Sequence, residues 1–440
     1  MKKILNIMFL VYITGWIGCS DRESQLVREL NQEIRALPEG SPSGYEDGFI
    51  EGLVDWDKYP LIGLGEATHG TKDFFELKQR LFRFLVEEHG CRIFAYEYSY
   101  RKSLLVNEYI HHRYHQLDSL FQDDLWIQDN ESLRKLVRWM RKYNNGKEES
   151  ECIHFIGIDN QLDAMRLEEV IDQIEQYVPS FRPDQMLFHY NLPGKRKATY
   201  PEMTEDEYLD ILNSMDKLEI AVKSAIVSGN GALESKDTQV ALRLIGCLQD
   251  SHEFLYRYFA DGENLRDQQL AMNVLKIARE QDFLNPVVVW AHNAHVARNP
   301  HYYQEDGPSM GYYLNDSFQE GYLSVATSFS RGAFTAVMLD SIGNDTPPMT
   351  CRITDLPPDS SLNRLFCMAD EPQFVLNIRK LDQETALHHF LNEERPMIGV
   401  GDLYLGSPEQ HFTGDRMISL VRAHDLLFYF SDTKAILPSY

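Results

Sequence analysis

Short, nearly unbroken apolar runs alternate along this chain with longer stretches in which apolar residues recur at helical spacing. The runs are Leu61 to Leu64, Arg92 to Tyr96, Ile153 to Ile158 and Pro286 to Ala291. A run that stays apolar instead of alternating belongs to a strand buried on both faces. From Thr71 to His89, Phe74, Leu77, Leu81, Phe84 and Leu85 form one stripe at helical spacing, and Gly90 just beyond suits a helix end. Ser132 to Tyr143 carries a second stripe in Leu133, Leu136, Val137 and Met140. Residues Ala164 to Gln281 read as almost wholly helical, with a proline-bearing loop at Pro193 to Thr204 and a glycine-rich break at Ser228 to Ala232. Met203 to Ala260 is therefore expected to form a helical hairpin, inserted into the core or packed on it. Further apolar segments follow at Leu323 to Thr327, Thr335 to Leu339, Phe374 to Ile378 and Leu426 to Phe430. Strands alternating with helices predict an α/β protein, a three-layer α/β/α arrangement with a mainly parallel sheet and a helical hairpin as insertion or subdomain.

Composition narrows the class. A hydrophobic content of 43% and an aromatic content of 12% are those of a packed globular chain, and 440 residues suffice for a large α/β domain. The net charge of -24 argues against nucleic acid as a partner, because phosphate neutralisation needs Lys and Arg. The first residues stand apart. Lys2-Lys3, the apolar Ile4 to Ile17, and Gly18-Cys19 before Ser20-Asp21 have the shape of a secretory leader, and the small residue before the cysteine resembles a lipoprotein processing site. Lipidation of Cys19 would place the protein in a bacterial cell envelope, periplasmic or surface-exposed, held to the membrane by its N-terminal anchor. The expected division is a leader at 1–19, a tether and helix at 20–44, and a catalytic domain at 45–440 with its helical region at about 203–260. Cys91, Cys152, Cys247, Cys351 and Cys367 are scattered and read as free thiols.

The chemistry sits where the apolar runs stop. Gly65 ends the first run and Glu66 and His69 follow at once; the second ends at Glu97, the third at Asp159, and the fourth at His292 and His295. Parallel neighbours would gather these ends at one edge of the sheet, where ligands of open α/β sheets bind. A carboxylate at such a place is also a common helix cap, so it is the set that matters. Two mechanisms suit it. In one, a histidine oriented by a carboxylate takes a proton from water, and a second histidine or a cation stabilises the oxyanion. In the other, Glu66, His69, Glu97 and His292 or His295 hold a divalent metal that acidifies water. His292 and His295 lie in a loop pattern without the H-E-x-x-H helix signature. Neither a G-x-S-x-G elbow nor a Walker loop is present, which argues against serine hydrolases and nucleotide enzymes. Lys78 borders the apolar stripe of its helix, as a cation under the site or a lysine reaching to solvent. His111, His112 and His115 read mostly as surface residues, and Tyr98, Tyr100, Trp126, Trp139 and Tyr143 as packing or the lining of an aromatic cleft.

GEATHG at Gly65 to Gly70 with FFELKQRL after it, the glutamate of AYEYSY, and WAHNAHVAR at Trp290 to Arg298 together resemble the erythromycin esterase family. GIDNQ at Gly157 to Gln161, LRDQQLAMNV at Leu265 to Val274 and MGYYL at Met310 to Leu314 support the likeness, which runs from about Tyr45 to Ser431. The resemblance implies a hydrolase, without cofactor or metal, that opens a small-molecule ester or lactone with activated water. It implies His69 as general base, Glu66 and Glu97 as its acidic neighbours, and His292 and His295 as the paired histidines. Lys78, Asp159 and Arg266 are the expected substrate-binding residues. The family usually has arginine nine residues after the catalytic histidine, and this chain has Lys78, which keeps the charge but not the planar fork. The wider superfamily also holds haem-binding lipoproteins and metal-dependent proteases. A haem- or metal-binding lipoprotein and a metal-dependent amide or peptide hydrolase are therefore the competing readings.

Overall fold

The structure is a computed structural model that describes residues 22–121, 126–161, 163–182, 200–229, 231–281, 285–300, 307–412 and 417–437. The leader, Cys19 and most of the Pro193 to Thr204 loop lie outside the described residues.

A helix, α1 (22–33), leads into the edge strand β1 (Ile34–Ala36) and the short α2 (Asp47–Glu51). The core then follows as β2 (Leu61–Leu64), α3 (Lys72–Glu88), β3 (Ile93–Tyr96), α4 (Tyr100–Ile110), α5 (Glu131–Asn144), β4 (His154–Gly157) and α6 (Leu167–Tyr177). The hairpin α7 (Glu205–Ser228) and α8 (Lys236–Ala260) comes next, then α9 (Arg266–Glu280), β5 (Val287–Trp290), α10 (Asn293–Val296) and α11 (Met310–Phe318). The C-terminal part adds β6 (Tyr322–Ala336), β7 (Met349–Ile353), β8 (Gln373–Asn377), a small pair of β9 (Arg395–Pro396) with β10 (Met417–Ile418), and β11 (Leu426–Thr433).

The main sheet runs β1-β8-β11-β6-β2-β5-β3-β4, with β7 beside the far end of β6. From β11 to β4 every neighbouring pair is parallel; β8, β1 and β7 join antiparallel. This is the mainly parallel sheet the apolar runs predict. Its pleat sorts side chains to two faces. Ile62, Leu64, Phe94, Tyr96, Val288 and Trp290 pack with Phe74, Phe75, Leu77 and Leu81 of α3 and with the Leu133-Leu136-Val137 stripe of α5. Leu61, Ile93, Ala95, Val287 and Val289 pack on the opposite side with Leu270, Val274 and Ile277 of α9 and Leu314 of α11. The three layers follow from burial on both faces. Helix α3 ends as its sequence anticipates, with Gly90 at φ +68° and the Cys91 amide donating to Leu85 O at 2.9 Å.

The hairpin forms within the expected stretch, its helices joined by Leu218, Val222, Ile245 and Leu248 and by the stacked Tyr208 and Tyr256, 4.0 Å apart. One expectation changes, and one open alternative closes in favour of packing. The segments Leu323 to Thr327 and Thr335 to Leu339 are largely one continuous strand, β6, in which Gly332 at φ +121° takes a backbone angle that side chains disfavour. Tyr98, Tyr100 and Trp126 are buried in apolar clusters rather than open to a cleft. Cys91, Cys152, Cys247 and Cys351 are buried free thiols, and Cys367 is a half-buried one.

Candidate active site

Strands β2, β5, β3 and β4 are consecutive in the sheet, so the ends that carry Glu66 and His69, His292 and His295, Glu97, and Asp159 stand side by side. Backbone bonds hold these ends in step beyond the strands. The Ala291 amide donates to Leu64 O, Asn293 N to Glu66 O, Glu97 N to Trp290 O, and Asp159 N to Tyr98 O. Two glycines of GEATHG are required by close approach. A Cβ at Gly65 would strike the Asn293 side chain and one at Gly70 the Thr335 backbone.

His69 Nδ1 lies 2.7 Å from Glu66 Oε1. The carboxylate can only accept, so Nδ1 carries the proton and Nε2 is left as the basic nitrogen. Glu66 is buried, and its other oxygen, Oε2, accepts from Lys78 Nζ at 2.6 Å and Trp290 Nε1 at 3.1 Å. Burial is the largest influence on Glu66 and raises its pKa, but Lys78 and His69 together hold it below the ordinary value. For His69, burial opposes the proton, while the hydrogen bond and charge of Glu66, helped by Glu97 and Asp402, raise the pKa above the usual imidazole value.

Lys78 does not meet the expectation of a substrate contact. Its side chain is 1% exposed. Its donors go to Glu66, to Leu64 O at 3.1 Å and to Ala291 O at 3.4 Å, and the ammonium sits 4.1 Å from the centre of the Trp290 ring. Three donors meet three acceptors, all inside the protein. Burial, only partly offset by Glu66, brings its pKa down to about 8.

His292 caps α10, its Nδ1 accepting from the Ala294 amide at 3.2 Å. In the neutral ring the proton is therefore on Nε2, and this buried atom makes no hydrogen bond of acceptable geometry. The ring lies 5.4 Å from that of His69. Burial first, then the charges of His69 and His295, hold the His292 pKa well below the ordinary range. A neutral imidazole whose N–H has the Ala67 backbone near it, without a hydrogen bond of good geometry, thus stands beside a basic imidazole.

His295 is the opposite case. Nδ1 lies 2.8 Å from Asp267 Oδ1 and Nε2 lies 3.3 Å from Glu97 Oε1. Burial opposes its charge, but Asp267 and Glu97 push the pKa up to about 10. A protonated ring donates from both nitrogens, so Arg266 Nη1, 3.2 Å from Nε2, approaches there without a hydrogen bond. Arg266 Nη2 is bound to Glu97 Oε1 at 2.8 Å and to Asp159 Oδ2 at 2.6 Å. Glu97 Oε2 accepts from the His292 amide at 3.0 Å. Burial would raise the Glu97 pKa, yet His295, Arg266 and His69 keep it well below the carboxylate norm.

All the expected strand-end residues are thus brought together, with Arg266 and Asp159 forming one wall of ion pairs. Reading the sequence alone missed three participants: Trp290, which with Lys78 holds Glu66, Asp267 as the partner of His295, and Asn293. The Asn293 amide is buried and spans to β6, donating to Thr327 O at 2.7 Å and accepting from Thr327 N at 3.2 Å. Asp267 lies in the quoted LRDQQ stretch beside Arg266, which was the one available signal.

The sequence profile of the family described as Erythromycin esterase matches residues 86–433. This chain belongs to the erythromycin esterase family. Erythromycin esterase type II of Escherichia coli is 24% identical over 297 residues, covering 61% of this chain and 69% of that protein. A Bacillus cereus protein of known structure superposes with a TM-score of 0.76 at 21% identity, over 95% of this chain and 99% of its own. A mutant of the erythromycin esterase EreC in its open conformation gives a TM-score of 0.60 at 16% identity, over 89% of this chain and 95% of that one. These two likenesses show the shared fold. Family membership makes the chain a hydrolase of this family.

Proposed function

We propose that this hydrolase opens an ester or lactone by attack of a water that His69 activates, without a metal in the step. The observation that carries the reading is the Glu66-His69 pair at 2.7 Å beside the His292 ring, whose buried Nε2 makes no hydrogen bond of good geometry. His69 Nε2 takes a proton from water as the oxygen bonds to the carbonyl carbon, and Glu66 stabilises the imidazolium that forms. The carbonyl oxygen, now an oxyanion, receives the His292 Nε2 hydrogen bond. Collapse breaks the carbon–oxygen bond to the leaving alkoxide, which takes the proton back from His69, giving an acid and an alcohol. Lys78 and Trp290 keep Glu66 ionised and aimed. His295 and Arg266 hold Glu97 against the His292 backbone.

The alternative use of the same groups, as metal ligands, is disfavoured by how they are already engaged. Both oxygens of Glu66 and both of Glu97 accept from His, Lys, Trp, Arg or backbone donors. A cation there would have to displace several charge-assisted bonds.

The test is mass spectrometry of a macrolide lactone and a panel of simple esters incubated with purified protein, alone, with chelator, and as His69→Ala. Gain of one water that survives chelator and falls by roughly 10²–10⁴-fold in the variant is expected. Turnover unchanged in His69→Ala, or abolished by chelator, would overturn the reading.

A further inference from the structure

Far from these strand ends, at the start of β4, three side chains that the hydrolytic chemistry does not use converge. His154 is the first residue of β4, His111 caps the C-terminal end of α4, and Glu149 lies in the single turn of 3-10 helix just before β4. One ligand atom from each lies within 4.8 Å of the others. His111 Nδ1 is 3.6 Å from Glu149 Oε2, and the two imidazole rings are 5.0 Å apart with a tilt of 31°. None of these pairs is close enough or well enough aligned to be a hydrogen bond. His111 is 5% exposed in its side chain, yet its Nε2 makes no hydrogen bond of good geometry, and the ring has only a weak contact with the Ile153 backbone. A buried imidazole nitrogen left in this state costs desolvation that the fold does not recover.

We propose that His111, Glu149 and His154 bind one divalent transition-metal ion of the zinc type, which clamps the end of α4 to the start of β4. Two imidazoles and a carboxylate favour such an ion over calcium or magnesium, which prefer oxygen. Ligand atoms around a tetrahedral zinc, with bonds of roughly 2.0–2.2 Å, lie about 3.4 Å apart, so a movement of about 1 Å closes the set. Glu149 can supply it, because its side chain is 54% exposed and, apart from its approach to His111, its ion pair among the described residues is with the equally exposed Lys236 at the start of α8. That ion pair is at the surface and would give up one oxygen at small cost. Three protein ligands leave one position for water or for a second oxygen of Glu149.

The place fixes the role. His154 opens a strand whose other end leads to Asp159 in the catalytic wall, so the whole length of β4 separates the two sites. An ion here acts on stability, since it would staple the end of α4 to the turn before β4 and to the start of β4.

The experiment uses the tag-free mature chain, stripped with chelator and titrated with zinc and separately with cobalt. Calorimetry gives the stoichiometry and thermal unfolding the shift in Tm. One ion per chain and a rise in Tm are expected, with His69→Ala binding as well as the parent. Glu149→Gln, an exposed change that leaves the fold intact, weakens binding at least tenfold, and His154→Gln removes it. Absence of stoichiometric binding, or binding that persists in both Glu149→Gln and His154→Gln, overturns the proposal. Binding lost in His69→Ala but kept in Glu149→Gln also overturns it, by placing the ion in the catalytic cleft.

Discussion

In the proposed hydrolysis Glu66 is the residue on which the proton chemistry turns, because its two oxygens face different tasks. Oε1 sets the tautomer of His69, and Oε2 takes the buried charge of Lys78. Because Glu66 supplies the largest upward influences on His69, the active, neutral form of that ring should accumulate only above the usual imidazole pKa. The acid limb of kcat/KM therefore lies above about pH 6.5 and moves downward in Glu66→Gln, with kcat reduced at least about tenfold. A limb that does not move would show that another group controls it. Lys78, brought down to about 8, loses its proton as pH rises, and with it the ion pair that keeps Glu66 aimed. Activity should decline above about pH 8 in the parent and keep its plateau in Lys78→Arg, whose guanidinium stays charged. Lys78→Met should cost roughly 3–5 kcal/mol of stability by stranding a buried carboxylate, readable from denaturant unfolding. His292→Ala should lower kcat by about a hundredfold or more while leaving KM close to the parent value; a rise in KM with kcat unchanged would instead make it a ground-state contact.

At the scale of elements, the turn between β5 and α10 does the positioning. It holds His292 and His295 on one short segment, and Asn293 fastens that segment to β6 through two buried hydrogen bonds. Asn293→Ala removes both partners and leaves the Thr327 backbone groups unsatisfied, a cost of about 1–3 kcal/mol for each buried group. Tm and kcat should fall together. A variant that loses Tm but keeps the parent kcat would mean that the segment is held by other contacts. Asp267 ties three elements in a similar way, accepting from His295 and from the Met310 amide at 2.7 Å at the start of α11 while itself opening α9. The strands themselves were legible as apolar runs because burial on both faces removes the alternation that would mark a half-exposed strand. Edge strands β1 and β7 were not, since IRA and MTCRI carry polar and exposed residues whose strand state depends on the neighbour they pair with.

Across the whole molecule, the sheet separates two kinds of site. The carboxyl ends of β2, β5, β3 and β4 carry the groups proposed to perform hydrolysis, and the start of β4 carries the proposed metal clamp. Chelator should accordingly lower Tm while leaving ester turnover untouched. The proposed envelope anchor is tested by detergent phase partitioning of the protein expressed with its leader. The parent should enter the detergent-rich phase and Cys19→Ala should not; a parent that stays in the aqueous phase would remove the anchor from the account.

The sequence by itself determined the class of the fold, the helical hairpin and the residues that end each core strand. These follow from local periodicity and burial, which neighbouring residues encode. Only the tertiary structure decided the strand order, and with it which charge meets which. Asp267 and His295, Glu66 and Trp290, or His111 and His154 are far apart in the chain and meet only once the sheet is assembled. The same folding turned Lys78 from an expected substrate contact into a buried support, and His111 from an expected surface residue into half of a partly buried imidazole pair. Periodicity says which face of a helix is covered. What covers it, and whether a nitrogen there finds a partner, depends on elements that come from elsewhere in the chain.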